Sequence, residues 1–132
     1  MGNIVHLTEA ASIGLHSIVI IARSRSQVNV HTIAEQTGSS KHHVAKVLQR
    51  LSKFGHIRSS RGPNGGFVLN RKPEEITLLH IYEAIEGKLK IPKCPANHEV
   101  CPFGKCLLND VSQQMTNQFR TYLESKTVDS YL

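Results

Sequence analysis

The sequence predicts a mainly α-helical fold, a winged helix-turn-helix with a two-stranded β wing and a long helix near the C-terminus. Three observations predict it. Apolar residues recur every three or four positions in several segments, two of these segments meet at a tight glycine-containing turn, and a glycine-rich turn between β-prone runs follows directly. A chain of 132 residues is long enough for one compact domain with an appended helix.

The first two predicted helices are recognised by their apolar spacing and their stop signals. Helix one is predicted over residues 7–22, where the apolar positions are Leu7, Ala11, Leu15, Ile18 and Ala22. The second helix lies in "VNVHTIAEQTG", with Thr32 or His31 near its start. Gly38 ends it, because glycine adopts the left-handed backbone of a helix C-cap without steric cost.

The third predicted helix lies in "SSKHHVAKVLQRLSKFG". Ser39 or Ser40 caps its N-terminus and Gly55 ends it. Its apolar residues fall on one face and are Val44, Val47, Leu48, Leu51 and Phe54. Because only a tight turn separates helices two and three, they form a helix-turn-helix.

A β-hairpin is predicted directly after the helix-turn-helix. The runs "HIRSS" and "FVLN" are β-prone and flank "RGPNGG". Within that turn, Pro63, Asn64, Gly65 and Gly66 favour a conformation with residues at positive φ. A hairpin in this place is the wing of a winged helix.

Two further helices enclose a loop. "KPEEITLLHIYEAIEG" predicts a helix over residues 76–86, after Pro73 and before Gly87. "KLKIPKCPANHEVCPFGKC" has no regular period and predicts a loop. The last helix carries an apolar stripe made of Leu107, Leu108, Val111, Met115, Phe119, Tyr122 and Leu123. A chain this small has little core to cover a long helix, so the stripe predicts a C-terminal dimerisation helix and a homodimer.

The basic residues are concentrated in the predicted helix-turn-helix and wing. The net charge is +6, and residues 36–73 contain no Asp or Glu while they carry eight of the 16 Lys and Arg residues. From Glu74 onward, eight acidic residues face six basic ones. A merely solvated surface usually interleaves both signs, so the uneven distribution favours a polyanionic partner, of which double-stranded DNA is the commonest.

In a helix-turn-helix, the second helix lies in the major groove and its N-terminal residues reach base edges. Lys, Ser and neutral His all have donors or acceptors that suit this task. A wing-tip arginine can enter a narrow minor groove. The predicted DNA-binding residues are Ser39, Ser40, Lys41, His42, His43, Lys46, Arg50, Arg58, Ser60, Arg61, Pro63 and Asn64. For His43, a role in capping or packing is an equal alternative.

Several other classes of protein are disfavoured. No apolar run is long enough to span a bilayer, and the first residues resemble no signal peptide, so we expect a cytoplasmic protein without a membrane partner. No nucleotide-binding loop or nucleophile elbow occurs, so we expect no enzymatic activity. The three cysteines, an odd number, cannot form a complete disulfide framework.

All three cysteines lie in the stretch "CPANHEVCPFGKC". Their spacing leaves two metal sites open. Cys94, Cys101 and Cys106 could ligate an iron-sulfur cluster, or these three with His98 could bind zinc tetrahedrally. A third possibility is a thiol switch that forms a disulfide on oxidation. Nearby lysines would favour the thiolate form of the cysteines.

The segments "LTEAASIGLHSIVIIA", "IAEQTGSSKHHVAKVLQRL" and "GHIRSSRGPNGGFVLNRKPEEITLLHIYEAIEG", together with the cysteines, resemble the Rrf-two family of winged-helix transcription regulators, in particular its IscR-like and NsrR-like members. The resemblance covers nearly the whole chain. It implies a homodimer paired through the last helix, and an iron-sulfur cluster, 2Fe-2S or 4Fe-4S, held by Cys94, Cys101 and Cys106. It also implies sensing of redox state, nitric oxide or iron-sulfur status.

The fourth ligand is where the sequence departs from the family. IscR-like members have a His shortly after the third cysteine, about where Asn109 stands here. NsrR-like members use an Asp on helix one of the partner chain, which aligns with Ser12. The candidates for the fourth ligand are therefore Glu9, Ser12, His16, His98 and Asp110.

Three parts follow from these predictions. Residues 1–87 form the DNA-binding domain, 88–106 the cluster loop, and 107–132 the dimerisation helix and tail. The predicted function is a transcription regulator, acting as a repressor, that binds a DNA operator and senses its signal through the cluster. The alternative is a zinc-stabilised or thiol-switch adaptor or regulator without an iron-sulfur cluster.

Overall fold

The computed structural model describes residues 6–63, 65–90, 101–108 and 110–132. The elements in chain order are the helices α1 (Glu9–Arg23), α2 (Val30–Thr37) and α3 (Lys41–Lys53), the strands β1 (Ile57–Ser60) and β2 (Gly66–Leu69), a 3₁₀ turn (Pro73–Glu75), the helices α4 (Leu78–Glu86) and α5 (Val111–Ser125), and a second 3₁₀ turn (Val128–Tyr131). Within the described residues this is a mainly helical winged helix-turn-helix, so the predicted fold class is confirmed. The predicted division into three parts stays a prediction.

Helix α1 runs through the centre of the domain. Thr8 caps it, because its hydroxyl accepts a hydrogen bond from the Ala11 amide at 3.1 Å. Four of its apolar side chains are buried in the core: Ala11, Ile13, Ile18 and Ile21. At Gly14 a Cβ would lie 3.1 Å from Ile85 of α4, so the glycine lets these two helices approach closely.

Helices α2 and α3 form the predicted helix-turn-helix. His31 and Thr32 lie in the first turn of α2, as predicted, and the cap before them is Asn29, whose Oδ1 accepts from the Thr32 amide at 2.8 Å. Gly38 ends α2 in the left-handed region at φ 67°. Ser40 caps α3, as predicted, and four apolar residues of α3 are buried: Val44, Val47, Leu48 and Leu51.

The wing is an antiparallel pair in which Ile57 lies opposite Leu69 and Ser60 opposite Gly66. An isolated bridge between Val28 and Phe67 adds the segment before α2 to this sheet. The predicted reason for the turn glycines needs correction, because neither Gly65 nor Gly66 has positive φ. A Cβ on Gly66 would lie 2.5 Å from the Val28 carbonyl oxygen, so the bridge itself requires a glycine there.

Helix α4 begins two residues later than predicted. Residues 73–75 form a 3₁₀ turn instead, and Thr77 then caps α4. The Thr77 hydroxyl accepts from the His80 amide, while His80 Nδ1 accepts from the Thr77 amide, both at 3.1 Å. This reciprocal capping box fixes where α4 starts.

Helix α5 begins at Val111, later than the predicted 107, and the chain after it folds back onto the domain. Val128 is fully buried, and its amide donates to the Ile76 carbonyl at 2.9 Å. Arg23 of α1 donates to the Tyr131 carbonyl at 2.7 Å. The segment predicted as a tail therefore contributes Val128 of the C-terminal 3₁₀ turn to the core.

Across the ranges given above, no helix combines the length and the apolar character that crossing a membrane would need.

Candidate nucleic-acid interface and cysteine loop

The turn before α3 places the N-terminus of that helix at the protein surface. The Ser39 amide donates to the Ala34 carbonyl at 3.1 Å, and the Ser40 hydroxyl accepts from the His43 amide at the same distance. Ser40 therefore has a structural role as the N-cap of α3, whatever else it contacts. Lys41 follows as an exposed residue in the first turn.

The outward face of α3 lies opposite its buried residues. His42, Lys46 and Gln49 are all exposed on that face, and Ala45 is partly exposed beside them. Gln49 was not among the predicted DNA-binding residues, although the same helical spacing that marks the buried face identifies it. Its amide can donate and accept toward adenine in the major groove.

Two predicted DNA-binding residues lie on the flank of α3 and have partners inside the protein. The imidazole of His43 lies with Nδ1 3.6 Å from Glu9 Oε1 at the start of α1. Arg50 donates through Nε to the Ala84 carbonyl of α4 at 2.6 Å, and its guanidinium lies 5.8 Å from the centroid of the Phe54 ring. Both stay predicted DNA contacts, and both now have a packing role as well.

The wing presents Arg58, Arg61 and Pro63 as exposed residues and Ser60 as a half-buried one. Arg58 and Ser60 project from the same side of β1, because alternate strand residues share a face. Gly62 in the turn has positive φ, at 121°. Asn64, predicted to contact DNA, lies outside the described residues.

His56, directly before β1, is a buried histidine at the base of the wing. Its side chain is stacked on His80 with ring centroids 5.8 Å apart, and Arg71 lies 3.5 Å from its Nδ1. Burial, followed by the positive charges of Arg71 and His80, lowers the pKa of His56 from 6.5 to about 4. It is therefore neutral in the folded protein at neutral pH.

The cysteine loop is described only at its two ends. Cys101 and Cys106 are exposed free thiols, and the Cys101 thiol donates to the Phe103 carbonyl at 3.7 Å. Cys94 and His98 lie outside the described residues. In the part of the chain that the structure describes, no three His, Cys, Asp or Glu side chains are grouped to hold a metal ion.

Three of the five candidates for the fourth cluster ligand line one polar cavity. The cavity, of about 380 Å³, lies between the start of α1 and the turn after α2, and Glu9, Ser12 and His16 line its α1 side. Nδ1 of His16 lies 2.7 Å from the Ser12 carbonyl oxygen. Asp110, another candidate, lies apart from them at the exposed N-cap of α5, in the left-handed region at φ 64°.

An apolar groove of about 500 Å³ runs between α4 and α5. It is lined by His6, Leu7, Tyr82, Leu89, Leu108, Val111, Ser112, Met115, Thr116 and Phe119. Tyr82 and Phe119 meet edge to face across it, with ring centroids 5.4 Å apart. Much of the apolar surface of α5 is thus open in the single chain.

A known protein family matches this chain over most of its length. The Rrf2 family model, described as an iron-dependent transcriptional regulator, matches residues 7–132.

This chain belongs to the Rrf2 family.

Two proteins similar to this chain are named transcriptional regulators. The chain is 29% identical over 126 residues to the HTH-type transcriptional regulator NsrR of Bacillus subtilis, a match that covers 92% of this chain and 86% of the relative. It is 26% identical over 124 residues to the regulator IscR of Pectobacterium atrosepticum, covering 93% of this chain and 71% of the relative.

Solved structures of similar fold include other regulators. CymR, the global cysteine regulator of Bacillus subtilis, superposes with a TM-score of 0.79 at 22% identity, covering 98% of this chain and 99% of CymR. IscR of T. potens superposes with a TM-score of 0.75 at 24% identity, covering 95% of this chain and 84% of IscR. At these identities the likeness establishes the fold, and Rrf2 membership makes this chain a DNA-binding transcriptional regulator.

Proposed function

We propose that this Rrf2 regulator holds an iron-sulfur cluster, 2Fe-2S or 4Fe-4S, in its cysteine loop, and that the state of the cluster sets its affinity for a DNA operator. The observation that carries the proposal is the pair of exposed, unpaired thiols, Cys101 and Cys106, in the segment that leads into α5. On this proposal the protein acts as a repressor that responds to redox state, nitric oxide or iron-sulfur status.

The described donor groups fit such a cluster. Both thiols are accessible, as cluster ligands need to be before iron binds, and Lys105 stands directly before Cys106. Cys94 would be the third ligand. When bound, an iron-sulfur cluster supplies a redox-active and nitric-oxide-reactive centre whose stability depends on its ligands and exposure.

The residues of the chain itself would read the operator. Docking of α3 in the major groove presents His42, Lys46 and Gln49 toward base edges, while Arg58 and Arg61 of the wing lie where a phosphate backbone or minor groove would pass. The acid-free window of residues 36–73 supports this orientation, because it removes charges that would repel DNA.

A homodimer belongs to the same proposal. Of the residues of α5, all of which the structure describes, only Leu123 is buried. The exposed apolar side chains at and before α5 are Leu107, Leu108, Val111, Met115 and Tyr122. A continuous apolar face of this kind is typical of a helix that pairs with another copy, and a dimer would present two recognition helices to two half-sites.

A thiol switch is the second candidate function. The same two thiols could form a disulfide, since they are exposed and four residues separate them. One solved structure of similar fold is an oxidised form of CymR from Staphylococcus aureus, with a TM-score of 0.73. In this version, oxidation alone changes the loop, with no iron involved.

Anaerobic purification with an absorption spectrum and with iron, sulfide and zinc counts tests the proposal. The cluster version predicts bound iron and sulfide that are lost in Cys101→Ser and Cys106→Ser and kept in Gly104→Ala. Gly104 is the matched control because it lies between the two thiols, with no atom near the position of an added Cβ.

Three results separate the candidates. A colourless protein loaded with zinc would overturn the cluster in favour of a zinc site. A metal-free protein that gains a Cys101–Cys106 disulfide on oxidation, seen as a loss of two hydrogens by mass spectrometry, would favour the thiol switch. Operator affinity no better than that for random duplex at matched salt would overturn specific DNA regulation itself.

A further inference from the structure

Leu89, at the start of the cysteine loop, is hydrogen-bonded to both α4 and α5. Leu89, the second residue from the end of the described segment, donates its amide to Glu83 Oε2 at 3.0 Å. The carbonyl of Leu89 accepts from Arg120 Nη2 of α5. Leu89 is therefore held on both its polar groups, and the loop begins from a fixed point on α4.

The recognition helix α3 is attached to the neighbouring residue of α4. Arg50 donates through Nε to the Ala84 carbonyl, which lies in the last turn of α4. The last four carbonyls of a helix have no partner further along the helix, and a basic side chain commonly satisfies one of them. The guanidinium of Arg50 is directed to α4 and to Phe54 by these contacts.

Leu89 and Arg50 therefore bind to adjacent residues of α4, Glu83 and Ala84. We propose that Glu83 and Arg50 are positioning residues that couple the cysteine loop to the recognition helix through the last turn of α4. A change in the loop that moves Leu89 acts on Glu83, and the adjacent Ala84 carbonyl transmits that displacement to Arg50 and thus to α3. The proposal rests on the function proposed above and adds the route by which the loop acts on DNA binding.

For Arg50 this differs from a direct phosphate contact, and the salt dependence of binding distinguishes the two. A lysine or arginine that contacts phosphate contributes about 0.9 to the slope of log affinity against log salt. The DNA probe is a duplex that the wild-type protein enriches from a random pool. Arg50→Gln should weaken binding to this duplex and leave the slope of log affinity against log salt within error of wild type. Arg58→Gln is the matched control, because Arg58 is exposed on the wing where the proposed docking places the phosphate backbone, and there the slope should fall by about 0.9 for each protomer that binds.

The coupling is measured with the metal-free, reduced protein and the same protein alkylated at its cysteines by N-ethylmaleimide. In the wild type, alkylation should change the affinity for the enriched duplex by about fivefold or more. Glu83→Leu, which removes the acceptor for Leu89, should reduce that change to less than about twofold. Glu83→Gln keeps an acceptor and should keep most of the change, and Glu74→Leu, an exposed acid on the 3₁₀ turn, should match wild type.

Each outcome has a distinct meaning. A change on alkylation that persists in Glu83→Leu, or a slope that falls by the same amount in Arg50→Gln and Arg58→Gln, would overturn the coupling route. A wild-type affinity that does not respond to alkylation would also overturn it, with DNA binding unaffected. A wild-type protein that enriches no duplex at all would instead overturn the proposed function.

Discussion

His16 is the candidate fourth ligand that its surroundings favour. The Ser12 carbonyl can only accept, so the 2.7 Å contact places the proton of neutral His16 on Nδ1 and leaves the lone pair on Nε2. Histidine ligands in metal sites are commonly oriented in this way, with the other ring nitrogen donating to a backbone carbonyl. Glu9, by contrast, lies against His43.

We therefore predict that His16→Ala lowers the iron retained after anaerobic purification by about tenfold or more. Mutating a residue that only orients a metal ligand commonly lowers metal affinity by about this factor, and loss of the ligand itself should cost at least as much. His31→Ala is the control, since His31 is an exposed histidine on α2 paired with Glu35. Iron and sulfide counts and the absorption spectrum provide the measurement. Equal iron in His16→Ala and wild type, with loss in Glu9→Gln or Asp110→Asn, would reassign the ligand.

The buried His56 makes the stability of the domain depend on pH. Its folded pKa of about 4 lies below the value of 6.5 expected in the unfolded chain, so between these values the unfolded state binds the extra proton. Stability is fully present above about pH 6.5 and is lost as the pH falls toward 4. A pKa difference of this size corresponds to about 3 kcal/mol of stability.

His56→Gln should remove most of the loss of stability at acidic pH. The free energy of unfolding should then change less between about pH 7 and pH 5 than in wild type. Urea unfolding at one fixed protein concentration measures it. His42→Gln, which removes an exposed histidine, is the control and should keep the wild-type slope. A His56→Gln protein with an unchanged slope would show that other groups cause the acid loss.

Among the elements, α5 is the helix that the proposed homodimer would pair with a second copy. Its exposed apolar face includes Val111 and Met115, and Met115→Glu would place a charge where the proposed dimer buries apolar surface. We predict that this change raises the dimer dissociation constant by at least about tenfold. Analytical ultracentrifugation over a range of protein concentrations is the measurement.

Asn117→Glu is the matched control, because Asn117 is exposed on the side of α5 opposite Met115 and receives the same charge. It should leave the dimer intact. If both variants stay dimeric, the two copies pair through another surface.

For the molecule as a whole, local signals predicted most of the fold. The predicted end of α2 at Gly38 and the predicted cap Ser40 are confirmed, because cap preferences act within a few residues of the chain. His31 and Thr32 lie near the start of α2, as predicted, and the structure adds the cap Asn29, whose short side chain makes the capping bond.

The features that the sequence did not predict depend on distant contacts. The need for glycine at position 66 comes from Val28, and the role of Arg50 comes from a carbonyl 34 residues away. The buried position of Val128 comes from its bond to Ile76. None of these pairings leaves a local pattern, whereas Gln49 could have been found from the helical spacing alone.

The packing of the C-terminal end of α5 on the domain makes the proposed metal site depend on protein concentration. In the single chain, α5 is fixed at its far end by Leu123 and Val128, while its near end, which follows Cys106, exposes its apolar side chains. Pairing of two copies would cover that near end and restrict the cysteines joined to it. If the dimer binds metal more tightly than the single chain, mass action makes the apparent metal affinity rise with the concentration of the protein. The amount of protein in the cell would then set the level of signal at which the protein responds.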